Sequence, residues 1–282
     1  MLKRWSHQAI DHDVLHTLAI MDWLASQHLP VPAPVKLQQG RFTLSTDSGT
    51  WSLFPFVEGE YFTGAGDELR GAAEITGRLM EKLTQIPSSC VPNEGPSQLA
   101  AADRKLLARV HNVSDTWEAL FGYEQAGLLD LSWPLIMAEW DYLNSIGLEG
   151  GPIQAAHFDL HPHNLLVRAS EVVAVLDFEA CKVMPVGFAL GFAALKQCRQ
   201  AMALRPSSSD PFSVGSIYVD HLLSAFPGSS GLVAHLGDLA VAEALRRMCI
   251  ILRLNLENGD KRWNKVLGVQ IGHLGEARAL FG

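Results

Sequence analysis

The stretch His157-Phe158-Asp159-Leu160-His161-Pro162-His163-Asn164-Leu165-Leu166-Val167, followed after four residues by Val172-Val173-Ala174-Val175-Leu176-Asp177-Phe178-Glu179, carries the reading of the chain. Two β-type runs, Leu165–Val167 and Val172–Leu176, flank Arg168-Ala169-Ser170-Glu171, which predicts a tight hairpin. With Ala169 and Ser170 as the turn, Asn164 pairs opposite Val175 and Asp177 becomes its diagonal neighbour. Cross-strand partners share a face, as do residues two apart on a strand. The two side chains are therefore expected to project together, about 7–8 Å apart at the backbone.

An amide oxygen and a carboxylate are hard ligands of the kind Mg²⁺ accepts when it keeps several waters and takes its other ligands from substrate phosphates. Asp159, on the loop entering the hairpin, is placed to accept a proton from a hydroxyl. A carboxylate is a weak base for an alcohol. A loose, metaphosphate-like transition state, however, needs little deprotonation of the nucleophile until late, so orientation outweighs basicity. The plain alternative makes Asp159, Asn164 and Asp177 turn and strand-end residues that satisfy backbone groups. All three at these offsets around one hairpin point instead to phosphoryl transfer.

Outward from this stretch, the 282 residues are 48% hydrophobic and 18% charged, enough to bury a core and far from the composition of a disordered chain. The net charge of −8, with no cluster of Lys and Arg, excludes the usual nucleic-acid binder. Cys90, Cys181, Cys198 and Cys249 form no CxxC pair, so neither a zinc ribbon nor a disulfide framework is expected, and a reducing cytoplasm fits. The opening MLKRWSHQ lacks a signal-peptide apolar stretch and no run reaches the ~18 apolar residues of a membrane span; no membrane contact is expected.

Helical spacing predicts a helix over Asp13–Leu24, stopped by Pro30, Pro32 and Pro34. Arg41–Ser45 and Trp51–Val57 read as a hairpin ending at Glu58-Gly59, where a lobe boundary is expected. Further helices are predicted at Glu68–Leu83, 100–110 and 134–146. Beyond Asp177 the pattern is mostly helical, most clearly at 232–256 and 261–281, and is broken by Pro206–Asp210 and Pro227-Gly228. The fold class is α+β, with residues 1–59 as one lobe and a mainly helical lobe over 60–282.

His157, Asp159, Leu160, His161, Pro162 and Asn164, then Asp177-Phe178-Glu179, resemble the motif of the aminoglycoside phosphotransferase and choline kinase-like superfamily; Phe158 and His163 stand where that family has glycines. The layout, with Leu29-Pro30-Val31-Pro32 after the first helix and a strand ending in Glu58-Gly59, is most similar to type II homoserine kinases. The resemblance implies a protein-kinase-like two-lobe fold with ATP and Mg²⁺ between a partial nucleotide-binding lobe and a catalytic, acceptor-binding lobe. It implies transfer of the γ-phosphoryl group to a small-molecule hydroxyl on an amino alcohol, an amino acid such as homoserine, or an amino sugar. Carried over by residue, it implies Asp159 as catalytic base or orienting group and His157 as the brace of its loop. Asn164 and Asp177 become Mg²⁺ ligands and Lys3 the phosphate-binding lysine; the Pro55 carbonyl and Val57 N–H become adenine partners.

The chain departs from the family in several places. The strands and glycine turn expected ahead of Lys3 are missing, so the first lobe is expected to be small and truncated. Thr17 falls where a glutamate would pair with that lysine, with Asp13 one turn earlier as a substitute. Phe188-Ala189-Leu190 stands in place of a D-L-A motif, predicting loss of a brace on the catalytic loop. Arg246, Arg247 and Arg253 share a helix and suit a substrate carboxylate, although solvated arginines are the simpler reading. Two rival functions stay open. One is a catalytically silent kinase-fold binding protein. The other is a metal-dependent hydrolase built on His157, Asp159, His161 and His163, for which the remaining histidines show no zinc-site spacing. Dinucleotide, Walker-type and serine-hydrolase motifs are absent.

Overall fold

The computed structural model of the chain describes residues 1–5, 11–91 and 104–282. The first layer consists of β1 (Leu2–Arg4), α1 (Asp11–Ser26), β2 (Leu44–Thr46) and β3 (Gly49–Leu53). The three strands form an antiparallel sheet in the order β1-β3-β2. Val14, Leu18, Met21 and Leu24 recur at helical spacing and are all buried, which fixes the face that α1 turns inward. The hairpin is tighter than the sequence suggests, because Thr46 pairs directly with Gly49 and Phe54–Gly59 runs on outside the ladder.

Next come β4 (Glu60–Tyr61), α2 (Glu68–Leu83), α3 (Arg104–His111), α4 (Trp117–Phe121) and α5 (Tyr123–Ser145). The start of the helix expected at 100–110 lies partly outside the described residues. The α5 helix begins at Tyr123 rather than Pro134. Proline breaks a helix by clashing with, and failing to bond, the carbonyl four residues back. Here that carbonyl belongs to Asp130, an exposed residue, and the helix continues through Pro134.

Four strands then frame the decisive stretch: β5 (Ile153–His157), β6 (Leu165–Arg168), β7 (Glu171–Val175) and β8 (Cys181–Pro185). The last of these adds a strand to the mostly helical stretch expected after Asp177, since Cys181–Pro185 pairs antiparallel with β5, His157 opposite Cys181. A separate sheet has the order β4-β6-β7. The expected hairpin register holds at Arg168–Glu171 and Val167–Val172, with Ala169 and Ser170 both at positive φ in a two-residue turn. A bulge between Leu166 and Val167 then shifts it, so Leu165 pairs with Val175 and the Leu176 N–H donates to the Asn164 carbonyl at 2.8 Å. Asn164 therefore faces Leu176, not Val175. A bulge adds one residue to one strand and leaves no mark in an alternating apolar pattern.

The rest is helical: α6 (Val186–Ala203), α7 (Pro211–Ala225), α8 (Ser230–Val233), α9 (Leu236–Asn258) and α10 (Asn264–Phe281). The core is one continuous apolar cluster reaching from Trp5 to Leu280. Two crossings depend on glycine. A Cβ on Gly191 of α6 would lie 2.6 Å from the Ala240 nitrogen of α9, and one on Gly215 of α7 would lie 2.0 Å from the Leu280 oxygen of α10. No helix among the described residues is long and apolar enough to cross a membrane.

Candidate active site

Two loops connect one ladder to the other: residues 158–164 run from β5 to β6, and residues 176–180 run from β7 to β8. Because His157–Cys181 and Leu165–Val175 are paired at their ends, the two loops lie side by side. The first takes its shape from one of its own side chains and from two on the helices. Arg247 Nη2 donates to the Phe158 carbonyl, Asn164 Nδ2 to the Asp159 carbonyl at 2.7 Å, and Gln197 Nε2 to the Leu160 carbonyl at 3.2 Å. The brace thought missing at Phe188-Ala189-Leu190 is thus supplied from further along α6, by Gln197. The sequence carries a signal for it: Gln197 shares a helical face with Leu190, Ala194 and Ala201, all buried.

His157 is wholly buried and spans both loops. Its Nδ1 accepts from the Asp159 N–H at 3.1 Å, which leaves Nε2–H to donate to the Leu176 carbonyl at 2.9 Å. Burial holds its pKa below the ordinary value, so the ring is neutral. Asp159 is about a third exposed, with His161 Nε2 at 3.4 Å and Arg247 Nη1 at 3.5 Å from its carboxylate. Burial pushes its pKa up, but the His161 hydrogen bond and the Arg247 charge outweigh that and hold it below the usual range.

Lys3 is not a solvated terminal residue. Its Nζ lies 3.7 Å from Asp177 Oδ1, bonds the Glu179 carboxylate, and sits 4.5 Å from the Trp5 ring centre. Thr17 on α1 is buried nearby, and the acids that hold the lysine among the described residues are those of the second loop. The side chain of Asp13 lies outside the described residues. Glu179 closes the quoted motif, but sequence reasoning gave it no role. Asp177 has φ +61°, a left-handed conformation that Asp tolerates better than most side chains.

Lys3, Thr17, Asn164 and Asp177 share a cavity of about 260 Å³ with Met21, Phe54 and Leu176. Asp177 also lines a second cavity, of about 510 Å³, together with Asp159, Glu179, Arg246 and Arg247. The structure thus brings together Lys3, Asn164 and Asp177 in one cavity and Asp159 and Asp177 in the other, with His157 behind them. Pro55 is exposed, Val57 half-buried, and neither lines either cavity, whereas the neighbouring Phe54 does.

Mg²⁺ fits the donors present. Asn164 spends its amide N–H on the Asp159 carbonyl, which leaves Oδ1 available, and the Asp177 carboxylate is half exposed with Lys3 as its ion-pair partner. The histidines do not converge as a zinc site would require. His157 serves Leu176, His161 serves Asp159, and His163 meets the Tyr61 ring edge-on at 5.6 Å. Among the described residues, no three His, Cys, Asp or Glu side chains gather where they could hold a metal.

Arg246 and Arg247 overturn the reading of solvated helix-face arginines. Arg246 is 6% exposed and grips the buried Glu243 carboxylate through Nε and Nη2, both at 2.6 Å. Arg247 Nε bonds the same carboxylate at 2.7 Å, and its guanidinium lies 3.6 Å from the Phe192 ring centre.

Known proteins share this architecture. The chain is 24% identical to homoserine kinase of Zymomonas mobilis over 166 residues, 57% of this chain and 46% of the relative, so it spans about half the length of that protein. Spectinomycin phosphotransferase in its AMP-bound complex superposes with a TM-score of 0.64 at 12% identity, covering 99% of this chain and 86% of that one. A microcompartment-associated aminopropanol kinase gives 0.61 at 17% identity, covering 98% and 82%. An aminoglycoside phosphotransferase from Alicyclobacillus acidocaldarius gives 0.60 at 11%, covering 99% and 84%. These likenesses show the protein-kinase-like phosphotransferase fold. Residues 2–206 match the model of the phosphotransferase enzyme family, and the chain belongs to that family.

Proposed function

We propose that the protein transfers the γ-phosphoryl group of ATP to a hydroxyl of a small molecule. One observation carries the reading: Asp177 lines both cavities, so the groups suited to a nucleotide and its metal meet the groups suited to an acceptor at a single side chain. In this reading residues 1–59 contribute to nucleotide binding and residues 60–282 supply catalysis and the acceptor site. Four free cysteines support a reducing, cytoplasmic setting.

Asn164 Oδ1 and the Asp177 carboxylate would hold Mg²⁺, which when bound neutralises phosphate charge developed in transfer. Lys3 supplies a positive charge to the phosphates. Asp159, kept ionised by His161 and Arg247, orients the acceptor hydroxyl and takes its proton late. His157 acts through the loops it ties together. Pro55 and Val57 are assigned to the adenine through their backbone groups.

Purified protein supplied with ATP, Mg²⁺ and panels of amino alcohols, hydroxy amino acids and amino sugars should release ADP with one class, and Asp159→Asn should slow that release by ~10²–10⁴-fold. The second reading, a silent nucleotide-binding protein, is favoured by Lys3 being engaged with Asp177 and Glu179. It wins if ATP binds and no acceptor class turns over.

A further inference from the structure

The larger cavity has walls of opposite character. Asp159, Asp177 and Glu179 lie on its loop side. The α9 and α10 side presents Arg246, Arg247, Ile250, Leu254, Trp263 and Gln270, with no Asp or Glu among its lining residues. An ammonium group on the acceptor would find no counter-charge on that wall. Lys182 of β8 also lines the cavity, and no ion-pair partner is found for it among the described residues.

The two adjacent arginines are used differently. Arg247 is fully engaged by Glu243, Asp159, the Phe158 carbonyl and the Phe192 ring. Arg246 spends Nε and Nη2 on Glu243, and its Nη1 is buried with no hydrogen-bond partner. Glu243 is the buried carboxylate that serves both guanidiniums. A buried donor left unpaired is costly, and such an exception calls for an explanation. The planar guanidinium is the group best shaped to receive a carboxylate.

Building on the phosphotransferase reading, we propose that the acceptor is a hydroxy carboxylate and that Arg246 receives its carboxylate, with Lys182 adding to the field that selects an anion. The amino group of a hydroxy amino acid is then dispensable, while its acid is not.

The test titrates ω-hydroxy acids of two to five carbons, L-serine and L-homoserine, each beside its own primary amide, into protein loaded with a non-hydrolysable ATP analogue and Mg²⁺. Wild-type protein binds its preferred acid about tenfold or more tighter than the matching amide, as a charge-assisted hydrogen bond requires. Arg246→Met erases that preference while affinity for the nucleotide analogue is unchanged. Because Arg246→Met leaves the Glu243 carboxylate short of a partner in the interior, Glu243→Gln/Arg246→Met is measured beside it. An amide that binds as well as its acid, a preference that survives both variants, or no binding of any acid to nucleotide-loaded protein overturns the proposal. ADP release from the same pairs reports separately on catalysis. Acid preference without turnover sinks the phosphotransferase reading and keeps the carboxylate subsite, whereas turnover of amino alcohols without acid preference does the reverse.

Discussion

The Asn164 side chain donates to the Asp159 backbone carbonyl at 2.7 Å, so the residue assigned to the metal also shapes the loop that carries the reactive carboxylate. Asn164→Ala removes both contributions. The Mg²⁺ concentration for half-maximal rate should rise ~10–100-fold, in line with losses seen when ligand support is removed. Asn164→Asp restores an oxygen ligand but not the donated N–H, so metal titration recovers further than kcat does.

Asp159→Asn should lower kcat by ~10²–10⁴-fold with nucleotide affinity retained, because the lost group orients and deprotonates the acceptor without touching the nucleotide. Its pKa sits below the ordinary carboxylate range, so Asp159 contributes no acid limb to the rate profile above about pH 4. A kcat profile with an Asp159-dependent limb near neutrality would contradict this.

Lys3→Met separates function from stability. The pair with Asp177 and Glu179 is partly solvated, and such pairs contribute only ~0–1 kcal/mol, so the urea midpoint should barely move. The nucleotide KM should rise several-fold while the acceptor KM stays put. A large loss of stability with unchanged nucleotide KM would make Lys3 a structural residue.

Burial lowers the pKa of both His157 and His273, the latter to about 3 with help from Lys196, Arg199 and Arg247, so both rings stay neutral in the fold at pH values where the unfolded chain protonates them. The unfolded state then binds more protons, and stability falls as pH drops below the ordinary histidine value of 6.5, by up to ~1.4 kcal/mol per pH unit for each ring. Urea denaturation between pH 7.5 and pH 5 should show this slope, and it should be shallower in His273→Gln.

Gly215→Ala should destabilise by ~1–3 kcal/mol, since the added methyl meets the Leu280 backbone oxygen and not a side chain that can turn away. Thermal unfolding measures it.

Much of this was legible in residues 157–179 because the signals there are local. A two-residue turn, two short apolar runs and the spacing of Asp159, Asn164 and Asp177 are visible without tertiary knowledge. The bulge at Leu166/Val167 was not, since it leaves the apolar alternation intact, and β8 was not, since Cys181–Pro185 becomes a strand only by pairing with β5. Arg246 and Arg247 misled for a related reason. On a helix wheel they read as a charged face, and only the packing of α9 among α5, α6 and α10 makes that face interior. Lys3 became informative once β1 paired with β3 and carried it to Asp177.

The extra residue in the hairpin and the left-handed turn at Asp177 offset one another. The bulge moves Asn164 one step along its partner strand, which in a regular pleat would send the next acid to the opposite side of the ribbon; the positive φ at Asp177 breaks that pleat, and both residues line one cavity. Deleting a residue from β7 would make a more regular ribbon and a misaligned pair. Two deviations from ideal geometry thus compose a single alignment, and neither can be mended alone.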